Sequence, residues 1–408
     1  MLKHYGAATG IVGGVTLLQF ANTMLSVILP LNLALAGYSG TTTGLVVTGY
    51  GVGFLAGCVV NARLIRDVGH IRAFAVLAAI CSVTSMVFAL SNFVVLWFVL
   101  RLLMGFCQAG LFTVVEGWLS AVAPPHARGG VLSFYLVATK VAIVGAQTLL
   151  AQIGTGSPIW FEVSGAVFTL SLIPVALTRT PQPPPLRLEF LGPRALYRVA
   201  PAGVAGCLVS GLLNSAILGL SPLFGTRIGL DPRTTVWLLT AFQLGSFLCQ
   251  WPLGRLSDRI DRRSVIAGCA IAVAILSLTT AAMPAGRWLL LLYLLLGGTA
   301  LTFYAVAMAH AADFAEPDQM VGVSSSLLLC WAAGAAVGPT VAAPFMDLLG
   351  PRGLFVYTVI VAAGLAGFVL WRMSRRASPQ AKEGFVESPA ATPRGAEIDR
   401  RVPETPAA

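Results

Sequence analysis

The stretches VWLLTAFQLGSFLCQWPL (residues 236–253), GRLSDRIDRR (254–263) and SVIAGCAIAVAILSLTTAAM (264–283) follow one another and decide the fold. The middle stretch places six charged residues among ten, in a chain of which only 10% is charged. Each flanking stretch is long enough, as a helix, to cross a bilayer core of about 30 Å. The sequence therefore predicts a short charged loop between two transmembrane helices.

The rest of the chain is equally apolar. Hydrophobic residues make up 57% of the 408, and the mean hydropathy is +0.83. A soluble protein of this size has no interior large enough for so much apolar surface, so its solvent is expected to be lipid. Because lipid offers the backbone no hydrogen-bond partners, apolar runs of this length must span as helices. We predict an all-α polytopic membrane protein.

Apolar windows of about 19 residues predict twelve transmembrane helices. They lie near residues 10–36, 42–62, 72–91, 94–120, 131–152, 159–178, 200–224, 234–253, 264–283, 288–311, 321–346 and 353–372. Prolines and four arginines in residues 179–198 cannot continue a helix and predict a cytoplasmic linker. This linker separates a six-helix half at 1–178 from another at 199–372. The polar tail, 373–408, is predicted to be disordered and cytoplasmic.

Lysine and arginine are unevenly shared between the two sets of predicted loops. If the N-terminus is cytoplasmic, sixteen of them lie on the cytoplasmic side, and only Arg227, Arg233, Arg287 and Arg352 lie on the other. The positive-inside rule therefore predicts a multi-pass protein of the bacterial inner membrane with both termini in the cytoplasm. The first apolar run continues past residue 30 without a small-residue cleavage site, which predicts a retained helix rather than a signal peptide.

Several classes of function are excluded by what the sequence lacks. A net charge of +10 could suit a nucleic-acid partner, but the basic residues fall in short loops rather than on one soluble face. We therefore expect no nucleic-acid partner. The seven cysteines lie in apolar segments without CxxC spacing, which predicts neither disulfides nor a metal site. No nucleophile and base pair or phosphate-binding glycine loop is present. We expect no enzyme, no catalytic residues and no cofactor.

An internal repeat relates the two halves at an offset of 192 residues. The matching pairs include Asn22 with Asn214, Pro30 with Pro222, Gly37 with Gly229, Gly53 with Gly245 and Gly105 with Gly297. Six helices return the chain to the side of the membrane on which it started, so the two repeats are predicted to be parallel.

Taken together, these features resemble a known family. Twelve helices in two halves of six, a basic central linker and the pattern G-x-L-x-D-R-x-D/G-R-R at residues 254–263 resemble the major facilitator superfamily of secondary transporters. The resemblance covers about residues 5–372, and residues 114–137 and 309–329 resemble one bacterial branch of it. It implies two halves that rock about a central site and expose that site to each side of the membrane in turn.

The resemblance also implies that the charged signature acts as a latch of the cytoplasmic gate. The gating residues would be Gly254, Asp258, Arg259, Arg262 and Arg263, with Asp313 or Glu316 at the end of the tenth helix as partners. In the first half the equivalent stretch is ARLIRDVGHIR (residues 62–72), where the acidic position of the pattern is basic. There, Arg63 or Arg66 would meet Glu116. The alternative is that these charges are solvated and only set topology.

Two cations lie inside predicted helices, where an ionisable residue is by default a functional candidate. Lys140 is near the middle of the fifth helix, and Arg101 begins RLLMGFCQAG, which resembles the superfamily's Arg and Gly motif with Gly105 as the helix-packing glycine. Glu116 and Glu162 are expected near helix ends, so the cavity should be electropositive and favour an anionic or zwitterionic substrate. The alternatives are that Lys140 snorkels and that Arg101 clamps backbone carbonyls.

Further polar residues inside the predicted helices complete the predicted substrate site. Besides Arg101 and Lys140 the candidates are Asn22, Gln108, Asn214 and Gln243, with Gln19 and Gln147 as further lining residues. Each has the alternative of a helix-packing hydrogen bond. His310, with Asp313 one turn on, is the candidate for proton coupling, against the alternative of a buried structural histidine.

These features predict a secondary active transporter that moves a small solute by alternating access, with proton coupling as an expectation. The expected partners are the substrate, protons and membrane lipids, and the expected state is a monomer. Two alternatives stay open. One is a drug/proton efflux antiporter, although the antiporters' Gly-Pro motif of the fifth helix is missing from residues 140–152. The other is a lipid flippase on the same fold.

Overall fold

The computed structural model describes residues 2–91, 93–122, 128–178, 196–198, 200–314 and 320–375. Almost all of these residues are helical, and none of them lies in a strand. The helices of the first half are α1 (Leu2–Leu35), α2 (Gly40–Val68), α3 (His70–Leu90), α4 (Val94–Val122), α5 (Arg128–Ile153), α6 (Ile159–Leu170) and α7 (Leu172–Ala176). Those of the second half are α8 (Pro201–Arg227), α9 (Pro232–Arg259), α10 (Arg262–Ala282), α11 (Trp288–Ala300), α12 (Phe303–Ala312), α13 (Met320–Leu348) and α14 (Gly353–Arg375).

Two membrane crossings consist of two helices each. α6 and α7 together form the span Ile159–Ala176, and α11 and α12 form the span Trp288–Ala312. The first break has a local cause, because Pro174 cannot donate to the carbonyl four residues earlier and its ring crowds that turn. The hydroxyl of Ser171, at the break, donates to the carbonyl of Phe168 at 2.7 Å.

Eleven spans of the described chain are long and apolar enough to cross a membrane. The remaining long helix, α9, is 28 residues long but less apolar, because it contains Gln243 and Gln250 and ends in charged residues. It packs against α11 and α5 within the bundle. With α9, the described residues contain twelve long helical segments, six in each of the two repeats.

The repeat is visible in the turns that precede α2 and α9. Gly37 and Gly229 have φ angles of 79° and 80°, a backbone conformation that favours glycine. Two residues further on, Ser39 and Asp231 act as helix N-caps, and each side chain accepts a hydrogen bond of 3.1 Å from the backbone N–H three residues on. The same turn is thus built twice at the 192-residue offset.

The repeat is also visible where helices cross. A Cβ atom on Gly53 would collide with the carbonyl of Leu102, and one on Gly105 with the carbonyl of Tyr50, so α2 and α4 touch through backbone. Gly245 and Gly297 make the same close approach between α9 and α11. Gly105 therefore lies in a helix crossing, as its predicted packing role requires.

Each half has its own hydrophobic core. One cluster of buried side chains runs from residue 8 to 175 and includes four residues of the second half; the other runs from residue 196 to 369 and includes Ala34 of the first. The predicted linker at 179–198 lies outside the described residues except for 196–198, and so does the tail beyond Arg375. We call the end of the bundle that carries residues 254–263 the signature end, and the end that carries Gly37 and Gly229 the opposite end.

Candidate functional site

Arg101 is buried in the interior of the first half. Its side chain is 4% exposed, and its guanidinium carbon lies 4.8 Å from the centre of the Tyr50 ring on α2. Cation–π contacts of this kind strengthen when they are desolvated. Among the described residues no carboxylate forms an ion pair with Arg101, and its Nε and one terminal nitrogen have no hydrogen-bond partner. A buried guanidinium therefore keeps two donor atoms available.

Asn22 adds an amide to this group. It lies in the middle of α1 beside the Tyr50 hydroxyl, and its buried side-chain oxygen has no hydrogen-bond partner. Asn22, Tyr50 and Arg101 thus bring together three helices and offer both an acceptor and cationic donors. We call these three residues the central polar site. Buried groups left without partners cost free energy unless a ligand or water satisfies them.

The remaining polar candidates are dispersed. Gln108 on α4 is fully buried, and neither of its amide atoms has a partner. Asn214 on α8 donates to the Ser210 hydroxyl at 2.9 Å, which is the packing role considered for it, while its oxygen has no partner. Gln243 on α9 is half-buried. No described hydrogen bond joins these residues to Arg101.

Lys140 and Glu116 differ from each other in their exposure. Lys140 is half-buried in the middle of α5. Glu116 is fully buried and accepts a hydrogen bond of 3.4 Å from the Tyr135 hydroxyl, so it does not lie in solvent at a helix end. It follows Arg101 on α4 by about four turns, roughly 22 Å along the axis. It therefore does not neutralise Arg101 through direct contact.

A chain of aromatic rings connects the central polar site to the second half. Tyr50 stacks on Phe54 with ring centres 6.2 Å apart, Phe54 meets Trp331 of α13 at 6.0 Å, and Trp331 meets Tyr304 of α12 at 6.2 Å. Sequence reasoning missed these residues. One signal was available for Tyr50: its repeat mate is Phe242, so only the first half carries a hydroxyl at this position.

At the signature end, Arg262 is the centre of a charged cluster. Its side chain is 3% exposed, and its Nε donates to Asp313 Oδ2 at 2.9 Å. It also pairs with Asp258 at 3.5 Å and reaches the Ser257 hydroxyl at 3.4 Å. The partners that sequence reasoning offered were Asp313 and Glu316; the structure brings Arg262 to Asp313, and Glu316 lies outside the described residues. The pair joins α10 to the end of α12, two helices of the same half.

The predicted charged loop is wrong in its conformation. Gly254 to Arg259 form the last turns of α9, and α10 begins at Arg262, so only Ile260 and Asp261 connect the helices. Polar residues can continue a helix where it leaves the membrane, and a basic last turn suits the helix dipole. Asp261 caps the next helix by accepting from the Arg263 N–H at 2.9 Å and also pairs with the Arg263 side chain at 2.7 Å.

The other members of the signature differ in burial. Gly254 is buried, and its carbonyl accepts from the Ser257 hydroxyl at 2.7 Å. Arg259 is exposed. Arg255, which was not predicted as a site residue, lies over the Trp251 ring at 3.8 Å. Arg262, Arg263 and Asp313 therefore form the buried part of the cluster, and Asp258 lies at its exposed edge.

In the described part of the first half, the two arginines of the equivalent stretch are not buried in such a cluster. Arg63 and Arg66 are exposed, and Arg66 pairs with its neighbour Asp67 at 3.1 Å, with both side chains more than half exposed. Neither arginine is paired with Glu116, so the predicted contact is wrong. The physical reason is that Glu116 faces the interior towards Tyr135, whereas the arginines end α2 in solvent.

His310 lies against the charged cluster. It is 2% exposed, its ring meets Phe314 edge-on at 5.2 Å, and the guanidinium groups of Arg262 and Arg263 are close by. A proton on this ring would face these two cations against one carboxylate, that of Asp261. The surroundings fit the structural alternative better than a proton carrier.

The fold and these sites define a class of protein: a helical membrane protein of two parallel repeats with a polar centre and a charged cluster at one end. A sequence profile of the Major Facilitator Superfamily matches residues 11–235 and 203–403. The chain belongs to this transporter superfamily. It is similar to the "Uncharacterized MFS-type transporter YcaD" of Salmonella enteritidis PT4, with 28% identity over 86% of this chain and 91% of that protein.

Solved structures share the fold at low sequence identity. The nucleoside transporter NupG superposes with a TM-score of 0.77 at 13% identity, over 90% of this chain and 100% of that chain. A bacterial homologue of the lysosomal transporter Spinster gives a TM-score of 0.72 at 16% identity, over 91% and 98%. A mutant of the peptide transporter POT gives 0.74 at 14%, over 92% and 95%. These likenesses establish the fold.

Proposed function

We propose that the protein is a secondary active transporter, not an enzyme, that moves a small anionic or zwitterionic solute across the bacterial cytoplasmic membrane by alternating access. One observation carries the substrate class: Arg101 is buried, unpaired with any described carboxylate, and has two donor atoms without partners. A solute carboxylate or phosphate would satisfy both donors and the charge.

Electrostatics favours this choice over a cation. At short range in a protein interior, like charges repel by several kcal/mol, and only a negative group gains from the desolvated guanidinium. The Asn22 amide beside Tyr50 supplies a neutral contact for the rest of the solute. The solved transporters of the same fold are named for nucleosides and peptides, so the fold permits several substrate chemistries.

The signature cluster supports the gating part of the proposal. Arg262, Asp258 and Asp313 fix the ends of α9, α10 and α12 to one another at the signature end. A half that moves as a rigid body needs helix ends that are fixed to one another. In the orientation that the basic loops favour, the signature end is the cytoplasmic end. The exposed Arg63 and Arg66 act on topology in this proposal rather than as a latch.

Flux in proteoliposomes tests the proposal. Uptake and efflux of labelled carboxylates and phosphates are measured with and without an imposed pH gradient. Flux of an anion that responds to the gradient and collapses with an uncoupler supports coupled transport. Anion flux that is indifferent to both contradicts the expected proton coupling. Movement of cationic dyes instead of anions supports drug efflux, and movement of labelled phospholipid between leaflets supports a flippase.

A further inference from the structure

At the opposite end, one carboxylate joins the two halves. Asp347 of α13 accepts from the Gly40 N–H through Oδ1, and from the Thr41 N–H and hydroxyl through Oδ2, each at 2.7 Å. Arg227, which ends α8, donates to Asp347 Oδ1 at 3.0 Å and to the Met346 carbonyl at 3.2 Å. Three helices from the two halves therefore meet at Asp347.

The contact completes the N-terminus of α2. The first four N–H groups of a helix have no partner within it. Ser39, the N-cap, satisfies the Thr42 N–H through its hydroxyl at 3.1 Å, and its carbonyl accepts the first intrahelical bond, from the Thr43 N–H, at 3.0 Å. The first two, those of Gly40 and Thr41, are left to Asp347. A carboxylate at this position is also favoured by the positive end of the helix dipole.

Small residues on α2 make the approach possible. A Cβ on Gly40 would lie 2.7 Å from Asp347 Oδ1, and one on Gly44 would lie 2.6 Å from a backbone carbonyl of α13. One turn further on, the Thr340 hydroxyl donates to Thr48 at 2.7 Å. Residues 40, 44 and 48 share one helix face, so this face of α2 packs directly against α13.

The repeat shows that this cap is not required by the fold. At the 192-residue offset, Gly40 corresponds to Pro232, and α13 corresponds to α5, which ends at Ile153. Proline has no N–H to donate, so the N–H that Asp347 accepts from at Gly40 has no counterpart there. At that corner Arg233 donates to Gln152 at 2.9 Å instead. The charged cap is thus specific to the corner between α2 and α13.

We infer that Asp347 is a gate residue: its carboxylate holds the opposite end closed by capping α2 across the two halves, and its release accompanies opening at that end. This inference rests on the proposed alternating access. Asp347 and Arg227 are each 27% exposed, so water can replace the lost partners when the helices separate. A contact that water can replace can break and form again. Breaking a fully buried contact would instead leave a charge without partners, at a high cost in free energy.

Disulfide cross-linking across the interface tests the inference. Thr48→Cys and Thr340→Cys are introduced together after the seven native cysteines are replaced, and the rate of oxidative cross-linking is measured in membrane vesicles. Asp347→Asn is expected to slow cross-linking roughly threefold to tenfold, because a charge-assisted cap is lost at a partly exposed site. Asp231→Asn is the matched control, since this aspartate caps α9 within its own half and asparagine caps nearly as well.

An unchanged cross-linking rate in Asp347→Asn, or an equal slowing in Asp231→Asn, would overturn the inference. If Asp347→Asn does not insert, Thr41→Val removes one hydrogen bond to the carboxylate, and a smaller slowing is expected; no slowing there would overturn the inference too. Cross-linking needs no substrate. Slowed cross-linking in a protein that moves no anion would therefore contradict the proposed substrate while leaving the gate intact.

Discussion

Arg262 and Asp313 form an ion pair of 2.9 Å in which both side chains are less than 7% exposed. Removing one partner of such a pair leaves the other charge buried. We therefore expect Asp313→Asn to lower the free energy of unfolding by about 3–5 kcal/mol. Asp258 lies 3.5 Å from Arg262 and still offsets part of its charge, which reduces this loss. The fall in Tm in detergent measures it. Asp67→Asn, at the exposed pair of the first half, should leave Tm nearly unchanged. An equal fall in Tm in both variants would contradict the expected difference between the buried and the exposed ion pair.

The two halves should respond differently to loss of an arginine at the signature end. Arg66→Gln removes only a pair whose side chains are 56% and 64% exposed, so flux should stay within about twofold of the parent protein. Arg262→Gln removes the centre of the buried cluster, and most of the flux should be lost at normal membrane expression. Loss of flux in Arg66→Gln would show that the first half has a working latch after all.

Gly297→Ala should destabilise the second half. Its Cβ would collide with the Phe242 carbonyl, which is backbone and cannot turn aside. Overpacking of this kind costs about 1–3 kcal/mol, measured as a lowered Tm. Gly268→Ala, on α10 where a Cβ would meet nothing within 4 Å, is the control and should be neutral or stabilising. A neutral Gly297→Ala would mean that α9 and α11 do not cross this closely.

Tyr50 should contribute through its ring more than through its hydroxyl. Tyr50→Phe keeps the cation–π contact with Arg101 and removes only the hydroxyl beside Asn22, so affinity for the anion should fall a few-fold. Tyr50→Leu removes the ring contact, worth about 2 kcal/mol when desolvated, and should cost roughly tenfold or more. Binding isotherms of the two variants decide. Equal losses in both would assign the effect to the hydroxyl instead.

Sequence periodicity predicted the elements well because each depends on local composition. All twelve predicted helices are present, and the 192-residue offset correctly related Gly105 to Gly297, which make equivalent crossings. The boundaries failed where helices leave the membrane: α2 and α9 end at Val68 and Arg259, beyond the apolar windows that predicted 62 and 253. Hydropathy marks the bilayer, and a helix can continue past it.

The contacts between distant residues were harder to predict. Arg262 with Asp313 could be anticipated because the signature's charges and an acid at the next helix end lie on the same side. Tyr50 beside Arg101 and Asp347 beside Gly40 depend on helix rotation and on close packing at glycines, which hydropathy does not encode. Glu116 shows the same limit, since its position near a helix end did not reveal that it points inward to Tyr135.

The most direct test of the account is ligand-induced thermal stabilisation of the purified protein by a panel of carboxylates, sugar phosphates, neutral sugars and cationic dyes. We expect an anionic or zwitterionic compound to raise the Tm of the parent protein and of Arg72→Gln, which loses an exposed arginine at the start of α3. The shift should vanish in Arg101→Gln. Stabilisation by dyes alone, or an undiminished anion shift in Arg101→Gln, would contradict a substrate site built around Arg101.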